Sequence, residues 1–145
     1  MTSILKPSIF FLCAVTVLLG LAGCKDGHAE PYQDSLRAGF TPPSGYTIVK
    51  DECGAEEQDL IMLNADDNFI RITSKEKDAF SDWPPAQSEW QTVLIGNLKG
   101  YYIVKDDYIT LLWCTGRYVH MIWAPVTNDF TVDTATQLAN SRTEM

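Results

Sequence analysis

The stretch "YITLLWCTGRYVHMIWA" (residues 108–124) decides the fold that we predict for this chain. It contains two short runs rich in β-branched and aromatic residues, separated by the turn-forming pair Thr115-Gly116. A two-residue hairpin turn at that pair would place Trp113 opposite Tyr118. Both faces of this hairpin are largely apolar, whereas a sheet covered on one side alternates apolar and polar residues. We therefore expect cover on both faces: a helix on one, and a second layer, a long loop or a partner on the other.

Five similar runs precede the hairpin, and turn-forming residues separate most of them. These runs are "YTIVK" (46–50), "LIMLN" (60–64), "FIRIT" (69–73), "TVLIG" (92–96) and "YYIVK" (101–105). Closely spaced strands with short turns form antiparallel hairpins rather than parallel crossovers. The sequence therefore predicts a mostly antiparallel sheet of about seven short strands.

The spacing of apolar residues changes near the C-terminal end of the chain. From Thr131 onward, apolar residues recur at helical spacing, and Thr131 or Asp133 can cap the first turn. The apolar positions are Val132, Ala135, Leu138 and Ala139. We therefore predict the α+β class, with a C-terminal amphipathic helix packed on the sheet.

The first residues resemble the export signal of bacterial lipoproteins. One charge, Lys6, precedes an apolar run that is shorter than the roughly 20 residues of a membrane span. That run ends in Leu21-Ala22-Gly23-Cys24, which is similar to a lipobox. The resemblance implies a signal peptide over residues 1–23 and a lipidated Cys24 as the mature N-terminus. An ordinary signal peptide or a retained anchor is the alternative.

A lipidated Cys24 implies a protein attached to a membrane of the bacterial cell envelope, facing the extracytoplasmic side. Residues 24–44 are polar and interrupted by prolines, which predicts a flexible tether. We therefore expect a single folded domain over residues 45–145. Removal of Lys6 with the signal changes the formal charge from −8 to −9, which argues against nucleic acid as a partner.

Two cysteines, Cys53 and Cys114, remain after the signal peptide and the lipidated cysteine are set aside. Because the compartment is oxidising, we predict a disulfide between them. Two free thiols, with Cys114 buried as a small apolar residue, are the alternative. A zinc site that adds a histidine has little support, so we expect no metal and no cofactor.

The chain also resembles a family. The segments "PPSGY" (42–46), "VLIGNLKGYYI" (93–103), the quoted hairpin and "DTATQLANS" (133–141) follow the order of an envelope domain of unknown function. That domain is also found in the extracytoplasmic parts of anti-sigma-factor-like and sporulation-associated proteins. The resemblance implies a non-enzymatic domain with a sensing or interaction role. The zinc-binding cytoplasmic half of the anti-sigma members has no counterpart here, which puts signalling through a sigma factor in doubt.

No residue pattern points to catalysis. No serine lies in a G-x-S-x-G motif, and His120 lies mid-strand among apolar residues, as a hydrogen-bonded core histidine does. Asp66-Asp67-Asn68 lies between two strands, where such residues form turns, and it lacks the ligand spacing of a calcium loop. We therefore predict that the protein is not an enzyme.

The long connection "SKEKDAFSDWPPAQSEWQ" (74–91) is the candidate partner-binding segment, because long loops in compact domains are often functional. Its candidate site residues are Trp83, Pro84, Pro85 and Trp90. Either both indole rings cover one face of the sheet, or at least one stays exposed as the anchor of a partner site.

Two functions follow from these features. The first is a lipid-anchored envelope protein with a non-catalytic binding or sensing domain, whose partner is an unidentified envelope protein or ligand. The alternative is a carrier or binder of a small apolar or lipid-like ligand. A pocket lined by Trp113, Tyr118 and Ile122 would favour this alternative, whereas a filled core would favour the first function.

Overall fold

The computed structural model describes residues 34–81, 83–86 and 88–145. The predicted signal peptide, Cys24 and residues 25–33 lie outside the described residues. The described chain forms strands, one α-helix, α1 (Val132–Asn140), and one short 3₁₀ turn (Lys77–Ala79). The strands are β1 (Ala38–Gly39), β2 (Thr47–Cys53), β3 (Glu57–Leu63), β4 (Phe69–Glu76), β5 (Gln91–Ile95), β6 (Leu98–Lys105), β7 (Tyr108–Thr115), β8 (Tyr118–Pro125) and β9 (Thr143–Glu144).

Seven of these strands form one antiparallel sheet in the order β2-β3-β4-β8-β7-β6-β5. Two meanders, β2-β3-β4 and β5-β6-β7-β8, join where β4 pairs with β8. The connection from β4 to β5 therefore has to cross the sheet from its centre to one edge. This architecture, with a single C-terminal helix among the described residues, confirms the predicted α+β fold.

The helix α1 lies on one face of the sheet, which we call the helix face. Thr131 caps α1, and its side chain and that of Thr134 form a reciprocal capping box. Ala135, Leu138 and Ala139 are buried, as the helical spacing predicts. The core beneath them includes Leu60, Met62, Ile70, Ile72, Ile109, Leu111, Trp113 and Ile122.

The register of the central hairpin differs from the predicted one. The two turn residues are Gly116 and Arg117, so that Thr115 pairs with Tyr118 and Trp113 pairs with His120. Gly116 has a φ of 72°, which suits glycine at the first central position of a hairpin turn. The offset is even, so every side chain keeps its predicted face.

The folded domain begins before residue 45, so the tether prediction is wrong for residues 34–44. Leu36, Ala38 and Phe40 are 8%, 0% and 6% exposed and belong to the buried interior. The N–H of Ala38 donates to Gln58 Oε1 at 3.0 Å, and Gln58 Nε2 donates to the Ala38 carbonyl at 2.9 Å. β1 also pairs with β9. The prolines around this segment suggested a tether, but Leu36, Ala38 and Phe40 alternate at the period of a strand.

Candidate functional site

The connection between β4 and β5 crosses the face of the sheet that lies opposite α1, which we call the open face. Its start is fixed where the N–H of Lys77 donates to the Arg117 carbonyl at 3.0 Å. The 3₁₀ turn follows, and the N–H of Phe80 donates to the Lys77 carbonyl at 3.2 Å. We call residues 77–90 the crossing loop. It supplies the layer that the apolar open face requires.

The structure places all four candidate partner-binding residues in the crossing loop, with different exposures. Trp83 and Trp90 are half-buried, Pro85 is buried and Pro84 is exposed. The Trp83 ring meets the Tyr101 ring edge to face, with the ring centroids 5.6 Å apart. Each indole therefore covers part of the sheet and keeps part of its surface accessible, which combines the two predicted alternatives.

A groove of about 490 Å³ lies between the crossing loop and the open face. Its volume falls in the range of small-ligand sites, which is about 300–1,000 Å³. The described residues that line it are Phe80, Ser81, Pro84, Pro85, Ala86, Trp90, Ile103, Thr110, Leu112 and Met121. None of these side chains is ionisable, and hydroxyls and one indole N–H are the hydrogen-bonding groups that they offer.

An aromatic strip continues the open face beyond the groove. It consists of Phe69, Tyr108 and Trp123, all half-buried. The Tyr108 and Trp123 rings stack with centroids 5.0 Å apart, and Phe69 lies 5.1 Å from Trp123. Trp123 pairs directly with Thr110, which lines the groove. The aromatic strip therefore adjoins the groove at Thr110.

An ionic cluster lies beside the aromatic strip. Arg71, the partner of Trp123 on β4, donates to both carboxylate oxygens of Asp59, at 2.8 and 3.2 Å. Lys50 Nζ lies 2.9 Å from the same carboxylate. The hydrogen bonds from Arg71, and then those from Lys50, lower the pKa of Asp59. The Asp59 carboxylate is thus already paired, which leaves it poorly suited to general base catalysis.

A buried polar network crosses the other side of the sheet. Ser74 Oγ lies 2.8 Å from His120 Nδ1, and His120 Nε2 lies 2.5 Å from Thr115 Oγ1. Thr115 donates to Asp34 Oδ1 at 2.8 Å, and the guanidinium of Arg142 lies 3.8 Å from the same oxygen. The network connects both ends of the folded domain to its central strands.

The protonation state of His120 follows from this network. Because the Thr115 hydroxyl donates to Asp34, it accepts from His120, which assigns the ring proton to Nε2. Nδ1 then accepts from the Ser74 hydroxyl. Burial, with a smaller contribution from Arg142, lowers the pKa of His120 to about 3. His120 is therefore neutral, as a fully hydrogen-bonded imidazole.

This arrangement of hydroxyls, imidazole and carboxylate is structural. Ser74 is 1% exposed and His120 is 0% exposed, so a substrate has no access to either. The prediction that His120 is a hydrogen-bonded core residue is confirmed. The sequence did not identify its partners, because Asp34, Ser74 and Arg142 come from distant segments that only the fold brings together.

The acidic pair Asp66-Asp67 forms a turn, as predicted. The side chain of Asn64 accepts from the N–H groups of Asp66 and Asn68, at 3.0 and 2.9 Å. Asp67 has a φ of 60°, a conformation that aspartate tolerates. Within the described ranges, no group of three or more His, Cys, Asp or Glu side chains is placed to hold a metal ion.

The two cysteines lie far apart and carry free thiols. Cys53 ends β2 and Cys114 lies on β7, with three strands between them. Four strand spacings amount to about 19 Å, whereas a disulfide requires Cα atoms within about 7 Å. The predicted Cys53–Cys114 disulfide is therefore not compatible with this sheet. The prediction rests on elimination of other partners, which takes no account of strand order.

Comparisons with known proteins bear on the fold. No family model matches the chain, and no curated protein matches it significantly. It is similar to a protein from Bacteroides thetaiotaomicron VPI-5482 whose crystal structure was solved at 1.50 Å resolution, with 18% sequence identity and a TM-score of 0.50. The match covers 74% of this chain and 45% of that one, so this chain spans less than half of that protein's length. At this identity the likeness shows the fold alone.

The described part of the chain contains no helix of the length and apolar character that a membrane span needs.

Proposed function

We propose that this chain is a lipid-anchored protein of the bacterial cell envelope whose folded domain is a non-catalytic binding module. The observation that carries the binding role is the apolar groove of about 490 Å³ beneath the crossing loop. A binding site of this size generally combines apolar walls with a few polar groups that orient the ligand. Ser81, Thr110 and Trp90 are such polar groups here.

The proposed membrane attachment rests on the lipobox-like sequence that ends at Cys24. The folded domain begins by Asp34, ten residues later in the chain. A fully extended segment of that length spans at most about 35 Å. A lipid on Cys24 would therefore hold the start of the domain within that distance of the membrane surface.

The groove favours a small apolar ligand over a large protein partner. Trp113, Tyr118 and Ile122 are 1%, 8% and 0% exposed in a packed core, which supports the first function and argues against a carrier cavity at these residues. The groove offers ligand-sized space on the open face instead. The half-buried aromatic strip beside it supports the second candidate, a protein partner that contacts the open face.

Photocrosslinking in intact cells tests the groove as the binding site. Ala86 is exposed and lines the groove, whereas Ala79 is exposed on the same loop and is not among the lining residues. A photoreactive amino acid at position 86 should capture a bound molecule, and the same amino acid at position 79 should not. Equal capture from both positions, or capture from neither, would contradict the proposal.

A further inference from the structure

We infer that the groove holds one acyl chain of a membrane lipid, with the lipid head group outside it. This inference rests on the proposed function and names the ligand class of the same site. The described lining has no ionisable side chain and exposes somewhat more apolar than polar surface, contributed by both the loop and the sheet. Burying hydrocarbon against such surface removes apolar area from water on both partners without leaving a charge unpaired.

The floor of the groove distinguishes a hydrocarbon chain from an extended peptide. Thr110 and Leu112 lie on β7 and Met121 on β8, and each of these strands has a neighbouring strand along both edges. Their backbone N–H and C=O groups are therefore committed to the sheet. Pro84 and Pro85, on the loop side, carry no backbone N–H to donate.

An extended peptide in this groove would bury backbone polar groups without partners. Each peptide residue brings one N–H, unless it is proline, and one C=O, and both require a hydrogen bond when they leave water. Peptides usually meet this demand by adding to the free edge of a sheet. β7 and β8 have no free edge, and among the strands that line the groove only β6 extends past its neighbour, at Ile103. An acyl chain has no such groups, so the same groove accepts it without that penalty.

The charge of the chain and its proposed position near the membrane also favour a zwitterionic lipid. The formal charge of −8 for the chain makes the protein acidic, and this disfavours a ligand with an anionic head group. A zwitterionic head group avoids that repulsion. The distance limit set by the ten residues between Cys24 and Asp34 would keep the domain near the membrane that supplies such lipids.

The test uses membranes from cells that produce the full chain. The probe is a zwitterionic single-chain lipid with a diazirine in its acyl chain, activated by light in the presence or absence of excess unlabelled lipid. Labelled peptides are then mapped after proteolysis, which separates groove adducts from adducts near Cys24. Two variants are compared: Ala86→Trp places an indole in the groove, and Ala79→Trp makes the same change on the same loop outside it.

The expected result is labelling of peptides that contain Leu112 or Met121, abolished by unlabelled lipid and by Ala86→Trp but retained in Ala79→Trp. Labelling that is equal in both variants would overturn the inference, since it would come from the bulk membrane. Absence of lipid adducts together with capture of a peptide or protein from position 86 would overturn the acyl-chain assignment and leave the proposed binding function standing. Absence of both would overturn the two proposals together.

Discussion

His120 makes the stability of the domain depend on pH in a range where carboxylates contribute little. In the unfolded chain its imidazole titrates near 6.5, whereas in the folded domain burial lowers the pKa to about 3. Between these values the unfolded state binds a proton that the folded state does not. The contribution of His120 to stability is therefore fully present well above pH 6.5 and is lost as the pH falls toward 3.

The magnitude follows from the separation of the two pKa values. Each pH unit in this interval costs about 1.4 kcal/mol of unfolding free energy. Between pH 6.5 and 4.5 the expected loss is about 2.3 kcal/mol, because the unfolded imidazole is already half protonated at pH 6.5. This is a large fraction of the roughly 5–15 kcal/mol that stabilises a typical domain. The Asp59 carboxylate, whose pKa is lowered, loses its contribution only at more acidic pH, and comparison with His120→Gln separates the effect of His120 from that of the carboxylates.

Urea unfolding followed by tryptophan fluorescence measures this loss across a pH series. We would place both proteins in a His28→Gln background, because His28 lies outside the described residues, and compare His120 with His120→Gln. The parent should lose stability from pH 6.5 to 4.5, and His120→Gln should not. If the variant does not fold, the ring resonances of His120 in the parent should stay unshifted over the same range. A parent without the slope, or a His120 ring that titrates near its ordinary pKa, would refute the reasoning.

Three further predictions concern the N-terminal part of the chain and its cysteines. Phe40→Ala should cost roughly 3–5 kcal/mol of unfolding free energy in urea. Thr41→Ala changes an exposed neighbour and is the near-neutral control. Equal effects of the two substitutions would support the prediction that this segment is a tether. Alkylation of the unfolded, unreduced protein should label both Cys53 and Cys114, and protection of both from labelling would support a disulfide. Cys24→Ser should release the protein from the membrane fraction or leave it unprocessed, whereas normal processing with unchanged fractionation would contradict lipidation.

The elements of the fold were predictable because their signals are local. Runs of β-branched and aromatic residues, short turns and a change to helical period are all visible within a few positions of the chain. The cap at Thr131 and the apolar face that includes Leu138 were identified in this way. So was the need to cover both faces of the central hairpin, because its two faces are both apolar.

The errors concern features set by distant contacts. The turn moved to Gly116-Arg117, where the Asp34 carboxylate accepts the N–H of Arg117 at 2.7 Å. The segment with Leu36 and Phe40 joined the core, although its composition resembles a linker. Neither contact has a signal in the nearby sequence, because each partner lies far away along the chain.

The candidate site also combines features with a local sequence signal and features that depend on distant contacts. By itself the sequence determined the α+β class, the acidic character of the chain, and the choice of a proline- and tryptophan-containing loop as the candidate site. Only the tertiary structure decided that the crossing loop leaves a groove above Leu112 and Met121, and that His120 is closed off between Ser74 and Thr115. Patterns of period and composition act over one strand or helix. A cavity or a buried hydrogen-bond network depends on which strands become neighbours, and the free energy of the whole packed domain determines that order.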